Sequence, residues 1–583
     1  MIILVHGLES SSYEPIIHPK ITIMSFGKLK KQPNILVLMT DQERDYQDFP
    51  DSFVENHLGS MKRMRLSGMT FSNNIGNTMP CGPVRGVIFS GQYSHTNRVM
   101  NNGDTLYAPH RNFVKTFENA GYEFNYKGKY HLEQSFVPFS TNWVNYFDND
   151  DEALAIKLAQ AENEVAADPI GMKGWTSPDF GTANVASTTG PVSKGDIGNL
   201  GGGPYSNDRR IVFGASEKGP DDPIARQLFE GANEESVIGF LKRKGKENSD
   251  QPWCLVSSIL NPHDISLYPY NWQQIPEYST FDPNDPMFDN FVLPESYYLD
   301  NLTNKPAVQL AYVNSFDGGR LPKDQALNYL KFYAYLHKKN EPLINAILDQ
   351  LDESGLAENT IVIRMADHGE AGCSHFGLRQ KTNNFYKECV RLPMVWSNPI
   401  LWPPVMDIKD AASTDDLVSV VDLLPTLAKV IGVSKAATDA MDLHGNHYSH
   451  VLLDDSLPTQ KSTLFRFNVF PAGNPYAKNT VPGIANIIAG IKTGKGFPDY
   501  PNYKYAVYYA KVDALIDHST LQFEMYNLDE DKDEINNLAP LNGSPSGEYS
   551  DVQIALHQAL TVLLHEKNEI EEKSGWPVLM AKD

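Results

Sequence analysis

Two short stretches, NILVLMTDQ (Asn34 to Gln42) and TIVIRMADHGE (Thr360 to Glu370), constrain this chain more than any other feature. Each is a short apolar run, interrupted in the second only by Arg364, that stops at polar and acidic residues. Side chains alternate across a strand, so a run that is apolar at successive positions needs cover on both faces, the condition of a parallel strand within an α/β sheet. Sheets of that kind bind ligands at the carboxyl ends of their strands. Asp41, Gln42, Asp367 and His368 therefore fall where chemistry is expected, although hundreds of residues separate the two pairs.

The intervening sequence supports the same class. ALNYLKFYAYLHKKNEPLINAILDQLDESG (Ala326 to Gly355) is apolar at helical spacing and closes on Gly355, which predicts a helix with a glycine C-cap feeding the second strand. WCLVSSIL (Trp253 to Leu260) and LPMVWS (Leu392 to Ser397) predict further strands. Beyond LVSVVDLLPTLAKVIGV the texture changes to tyrosine-rich runs such as YKYAVYYAKV and LQFEMYNL, which predict an antiparallel sheet, followed by a helix over 551–572. The expected architecture is α/β: a large, mixed, mostly parallel sheet sandwiched between helices, with a smaller C-terminal antiparallel sheet plus helix. The expected organisation is an N-terminal extension (1–30), a catalytic domain (31–455) and a smaller α+β domain (456–583). Within the catalytic domain, 168–222 is rich in Gly, Pro, Ser and Asn and reads as an insertion, either a surface loop or a pocket wall.

A formal charge of −22 argues against general affinity for nucleic acid or anionic membranes, which is driven by clustered Lys and Arg. It leaves room for a small anionic substrate, because a metal or a few local cations reverse the field inside a cleft. The four cysteines, at 81, 254, 373 and 389, have no CxxC spacing and predict reduced thiols. The first residues lack the basic region and cleavage site of a secretory signal, and no uncharged apolar run approaches the roughly 20 residues of a membrane span, so a cytoplasmic location is expected.

One cysteine stands in an unusual setting: TMPCGPVRGVIFSG, Thr78 to Gly91. On the first turn of a helix Arg85 shares a face with Cys81, and helix N-termini favour anions. A nucleophile and an anion clamp would then converge.

Cys81, Pro83 and Arg85 form the pattern C-x-P-x-R, which resembles the signature of the type I, formylglycine-dependent sulfatases of the alkaline phosphatase superfamily. The resemblance continues in order from about Asn34 to Ala539. NILVLMTDQ is similar to the family's first metal strand, GKYHL (Gly128 to Leu132) to its Gly-Lys-Trp-His-Leu, and FEMYNLDEDKDEINNLA to its C-terminal motif; NPHDI supplies His263 and ADHGE supplies Asp367 and His368. Lys381 resembles the family's second sulfate-binding lysine, with His375 and Arg379 close enough in sequence to replace it. Ser90-Gly91-Gln92 departs from the usual Thr-Gly-Arg after the signature. Gln42 and His368 resemble the choline-sulfatase and phosphonate monoester hydrolase branches.

The resemblance implies conversion of Cys81 to formylglycine by a formylglycine-generating enzyme, and one divalent metal held by Asp41, Gln42, residue 81, Asp367 and His368. Oxygen ligands favour Ca²⁺ and the imidazole favours Mn²⁺. Arg85, Lys129, His131, His263 and Lys381 would complete the catalytic set: Arg85 and Lys129 holding developing charge, His263 or Lys381 protonating the leaving alcohol, and His131 taking a proton from residue 81. Glu370 would support a ligand rather than bind the metal. The implied reaction is hydrolysis of a small sulfate monoester. Alternatives are a phosphonate monoester or phosphodiester hydrolase using the same site, and a non-catalytic binding protein of the same fold.

Overall fold

A computed structural model describes residues 28–132, 208–213 and 236–580, apart from 30, 47–48, 103, 109, 210, 270–271, 275–277, 315–318, 453–459, 469–484, 513–514 and 571–573. Nearly all of the N-terminal extension and most of the 168–222 insertion lie outside the described residues.

The main sheet has seven strands: β1 (Asn34–Asp41), β2 (Gly68–Phe71), β3 (Glu123–Gly128), β4 (Trp253–Pro262), β5 (Thr360–Ala366), β6 (Met394–Ser397) and β7 (Ala412–Thr414). Their order across the sheet is β3-β4-β1-β5-β6-β2-β7. The first four in that order run parallel; β6 is antiparallel to both its neighbours, and β7 is parallel to β2. The expected mixed, mostly parallel sheet is therefore present.

Both faces of its centre are buried, which is why the strands read as continuous apolar runs. Ile35, Val37 and Met39 of β1 join one core, together with Val84, Val87 and Ile88 of helix α1 (Cys81–Ser90). Leu36 and Leu38 face the opposite core, built on Tyr329, Leu330, Tyr333, Leu336 and Ile347 of the long helix α2 (Lys323–Glu353). That helix starts three residues before the expected Ala326, directly after Pro322. Gly355 follows with φ +67°, the left-handed turn that glycine takes without a Cβ clash.

A second sheet follows, with β8 (Ser462–Phe467), β9 (Ile487–Thr493), β10 (Tyr503–Val512) and β11 (Leu515–Asn527) paired antiparallel in sequence order. Tyr505, Val507 and Met525 pack into the first core, while Ala506, Tyr508 and Tyr526 pack on Phe385 and Leu378. Before it comes a short helix, α3 (Lys387–Val390), and after it α4 (Ser550–Glu566). The helix expected over 551–572 thus stops six residues early. Asn568 turns left-handed at φ +53°, and Glu569 folds inward to accept the backbone N–H groups of His95 and Thr96 at 3.3 and 3.2 Å. Among the described residues no helix is long and apolar enough to cross a membrane.

Candidate active site

Strand register brings the distant acids together. β1 and β5 are adjacent and parallel, with Thr40 opposite Ala366, so the residues that follow, Asp41 and Asp367, leave the sheet side by side. On the other flank of β1, Asp41 is level with Pro262 of β4, which puts His263 at the same edge. One strand further out, β3 ends where Gly128 pairs with Ser258, and Lys129 and His131 follow. Gly128 has φ +107°, and a Cβ there would lie 2.0 Å from the Ser258 carbonyl oxygen. Only glycine permits so close an approach, and it aims the Lys129 segment into the site. Four neighbouring strands thus contribute from one edge.

Cys81 opens α1 beneath that edge. Its Sγ lies 3.1 Å from His368 Nε2 and 3.7 Å from Asp41 Oδ1. Asp41, Cys81, Asp367 and His368, all buried, place ligand atoms within 4.8 Å of one another. The His368 Nδ1 sits 3.0 Å from the Gly369 carbonyl oxygen, a contact that orients the ring so that Nε2 faces the group.

Arg85 converges as expected but does a different job from an open anion clamp. Its Nε donates to Asp367 Oδ2 at 2.9 Å and its Nη2 to Asp41 Oδ2 at 3.3 Å. Nη1 is committed to the Lys129 carbonyl, the Ser258 hydroxyl and the Tyr126 hydroxyl. The reason is burial: a fully enclosed guanidinium needs acceptors for all its donors, and two carboxylates are the nearest. Arg85 is a positioning residue for the two acids. Lys129 Nζ, 2.7 Å from Asp41 Oδ2, is the second cation on them.

These charges redistribute protons. Burial would raise the Cys81 thiol, but Lys129, Lys381 and His368, helped by a hydrogen bond from His131, hold it well below the ordinary thiol range. Burial also opposes ionisation of Asp41, yet Lys129, His263 and His368 keep it below the usual carboxylate range. Asp367 is raised to about 6 by burial and then by the Asp41 charge. His263 is lowered to about 4 by burial, then by Lys381 and Lys129. The imidazole is therefore favoured in its neutral form at neutral pH, with one ring N–H still to donate.

Gln42 and Lys381 meet directly, the ammonium on the amide carbonyl oxygen. Glu370 stands behind Gln42 and takes its amide N–H, the supporting place expected of it. Neither substitute for Lys381 occupies its position. Arg379 binds the Gly319 carbonyl at 2.8 Å and lies over the Tyr329 ring, and His375 belongs to another group. In that group His375 Nδ1 is 3.1 Å from Asp300 and its Nε2 is 3.4 Å from Glu388. Glu534, from the C-terminal motif, completes it, accepting the Lys387 N–H at 2.6 Å and the Lys504 ammonium. This cluster ties β10 and the segment after β11 to α3.

Sequence reasoning missed Tyr329, Tyr333 and Ser258. The first two lie within the helix ALNYLKFYAYLHKK, where an aromatic stripe reads as core; only their hydroxyl partners reveal otherwise.

Known proteins share this arrangement of chain. The choline-sulfatase of Rhizobium meliloti is 23% identical over 427 residues, 70% of this chain and 69% of that one. The N-acetylglucosamine-6-O-sulfatase of Bacteroides thetaiotaomicron is 22% identical over 563 residues, 93% of this chain and 88% of that one. The solved phosphonate monoester hydrolase of Agrobacterium radiobacter has the same fold, with TM-score 0.57 and 19% identity over 92% of this chain and 96% of that one. The sequence model of the family described as Sulfatase matches residues 33–433, from the start of β1 past the last strand of the main sheet, and the chain accordingly belongs to the sulfatase family and is a sulfuric ester hydrolase.

Proposed function

We propose that the chain releases inorganic sulfate and an alcohol from a small sulfate monoester, with residue 81 acting as a formylglycine hydrate beside one divalent cation, Ca²⁺ or Mn²⁺. The observation that supports this reading is the meeting of Cys81 with Asp41, Asp367 and His368 in one buried group. Two carboxylates, an imidazole and the Gln42 amide beside them suit a hard or borderline cation. Sγ stands where an oxygen of the converted residue would stand. A cation held there, when bound, lowers the pKa of a coordinated hydroxyl and draws charge from the ester oxygens.

The remaining work falls to side chains. Arg85 holds Asp41 and Asp367 in place, and Lys129 offsets their charge. A sulfate ester repels nucleophiles through its anionic oxygens, and the ammonium groups of Lys129 and Lys381, both buried, offset that repulsion. One hydroxyl of the residue 81 hydrate would attack sulfur as the S–O bond to the alcohol breaks; Lys381 Nζ gives a proton to the departing alcohol oxygen and is reprotonated by the proton that the attacking hydroxyl loses. His131 takes the proton of the second hydroxyl, so that the C–O bond to sulfate breaks and the aldehyde re-forms; the proton leaves with the sulfate, and one water adds to the aldehyde to restore the hydrate. Cys81 is 1% exposed, so conversion by a formylglycine-generating enzyme precedes folding. The net charge of −22 favours a substrate with a single sulfate over a polysulfated polymer.

The test pairs p-nitrophenyl sulfate with a phenyl phosphonate ester on one enzyme preparation, alongside the mass of the tryptic peptide spanning residue 81 from the native host. Faster turnover of the sulfate and a peptide lighter by the difference between CH₂SH and CHO are expected. A marked preference for the phosphonate would transfer the same apparatus to phosphorus, and an unmodified peptide in active protein would remove the aldehyde.

A further inference from the structure

An amide has two chemically opposite ends of nearly equal shape, and a half-turn of Gln42 exchanges an acceptor for a donor. In this site the choice is made by a residue behind it. Gln42 Nε2 donates to Glu370 Oε2 and, at 3.1 Å, to Gln380 Oε1, while its Oε1 receives the Lys381 ammonium. Glu370 is fully buried, and its Oε1 accepts three hydrogen bonds: from the Tyr329 hydroxyl at 2.8 Å, the Gly372 N–H at 3.0 Å and the Gln380 N–H at 2.8 Å. Tyr329, Gly372 and Gln380 thus occupy Oε1 with donors, and Oε2 is the oxygen that faces Gln42 as an acceptor. The amide nitrogen of Gln42 must therefore point toward it and the carbonyl oxygen away from it. The opposite orientation would turn two N–H groups toward Lys381 and any cation beside Asp367.

The backbone of Gln42 is fixed from the same helix. Tyr333, one turn after Tyr329 on α2, donates its hydroxyl to the Gln42 carbonyl oxygen and accepts the Arg44 N–H at 3.0 Å. The Gln42 N–H donates to Asp367 Oδ1 at 3.1 Å, and φ is +64°. Side chain and main chain are thus both held.

We propose that Glu370, braced by Tyr329, is a positioning residue that selects the orientation of the Gln42 amide and thereby sets the affinity of the Asp41–Gln42–Asp367–His368 group for a divalent cation. The proposal rests on the reading of that group as a cation site. In Glu370→Gln the side-chain oxygen keeps the three donors, its NH₂ faces Gln42 Nε2, and Gln42 must turn over. Partners of metal ligands typically change affinity by about 10- to 100-fold.

Mn²⁺ titrated into the metal-stripped, formylglycine-bearing protein, with free ion read by electron paramagnetic resonance, gives the dissociation constant without turnover. Glu370→Gln is expected to weaken binding within that range. The double variant Gln42→Glu/Glu370→Gln, which restores a donor facing an acceptor, should bind more tightly than either single variant. Tyr329→Phe, which removes one of four donors and keeps the ring, should shift affinity in the same direction by less. Tight Mn²⁺ binding by the parent protein, matched by Glu370→Gln or, if that variant does not fold, by Tyr329→Phe, overturns the proposal alone. Absence of Mn²⁺ binding by the parent protein overturns the cation-site reading as well.

Discussion

Cys81 Sγ lies 3.1 Å from His368 Nε2, across 287 positions of sequence. One residue comes from the first turn of α1 and the other from just beyond β5, so the contact exists only when the helix is docked beneath the strand ends. It marks the point where the helical signature and the sheet meet.

The proposed role of residue 81 as nucleophile makes activity depend on it. Cys81→Ala, loaded with the same metal, is expected to lower turnover of p-nitrophenyl sulfate by on the order of 10⁴ or more while leaving the thermal unfolding midpoint close to that of the parent protein. Initial rates at saturating substrate check it. A variant that kept a tenth of the activity would place the nucleophile elsewhere.

Arg85 is buried between two carboxylates, with Nε and Nη2 on different acids. Arg85→Met leaves both acids without that partner, and breaking a buried pair from one side typically costs about 3–5 kcal/mol. Arg85→Lys keeps the charge but not the fork and should recover only part of the loss. Urea denaturation in the presence of chelator measures both. A loss for Arg85→Met below about 1 kcal/mol, the scale of an exposed pair, would contradict the bridging role.

Stability should fall with pH through His337. Burial lowers this imidazole from 6.5 to about 4, with Arg364 and Arg44 adding to the effect and Glu43 opposing it. Above pH 6.5 the ring is neutral folded and unfolded. Below it the unfolded chain takes up a proton that the folded chain refuses until about pH 4, so stability declines across that window, by roughly 3 kcal/mol in total. His337→Phe retains the ring packed edge-on against Tyr333. Its pH–stability curve should be shallower by up to about one proton between those limits; an unchanged slope would assign the effect to other groups.

Glu534 joins the second sheet to α3. Glu534→Gln leaves the Lys504 ammonium, which also touches the Phe385 carbonyl, without a buried counter-charge, and is expected to destabilise by about 3–5 kcal/mol. Adding Lys504→Met should return part of that loss, because the pair is then removed together. Mn²⁺ affinity should not move in either variant. A change there would mean that the cluster reaches the strand ends after all.

Much of the frame was legible in residues alone. Continuous apolar runs ending in acids announced β1 and β5 because a doubly covered parallel strand can be written in few other ways. The break in texture after Val433 marked the second sheet because aromatic-rich runs suit a pleated, packed surface, and Tyr505 and Tyr508 indeed enter opposite cores. The end of α4 was not legible, since it depends on Glu569 finding the His95 and Thr96 N–H groups far away in sequence.

The sequence by itself determined which residue types arrive at the sheet edge: acids after β1 and β5, His263 after β4, Lys129 after β3, and a cysteine at the head of α1. Only the tertiary structure decided what each one does there. It set Arg85 between two carboxylates, buried His263 beside two lysines, brought Lys381 rather than His375 or Arg379 onto Gln42, and set which end of the Gln42 amide faces Glu370. The reason is physical. A side chain's type and its place along a strand follow from local covalent periodicity, whereas its charge state and hydrogen-bond direction follow from burial and from Coulomb and donor–acceptor partners that other parts of the chain supply.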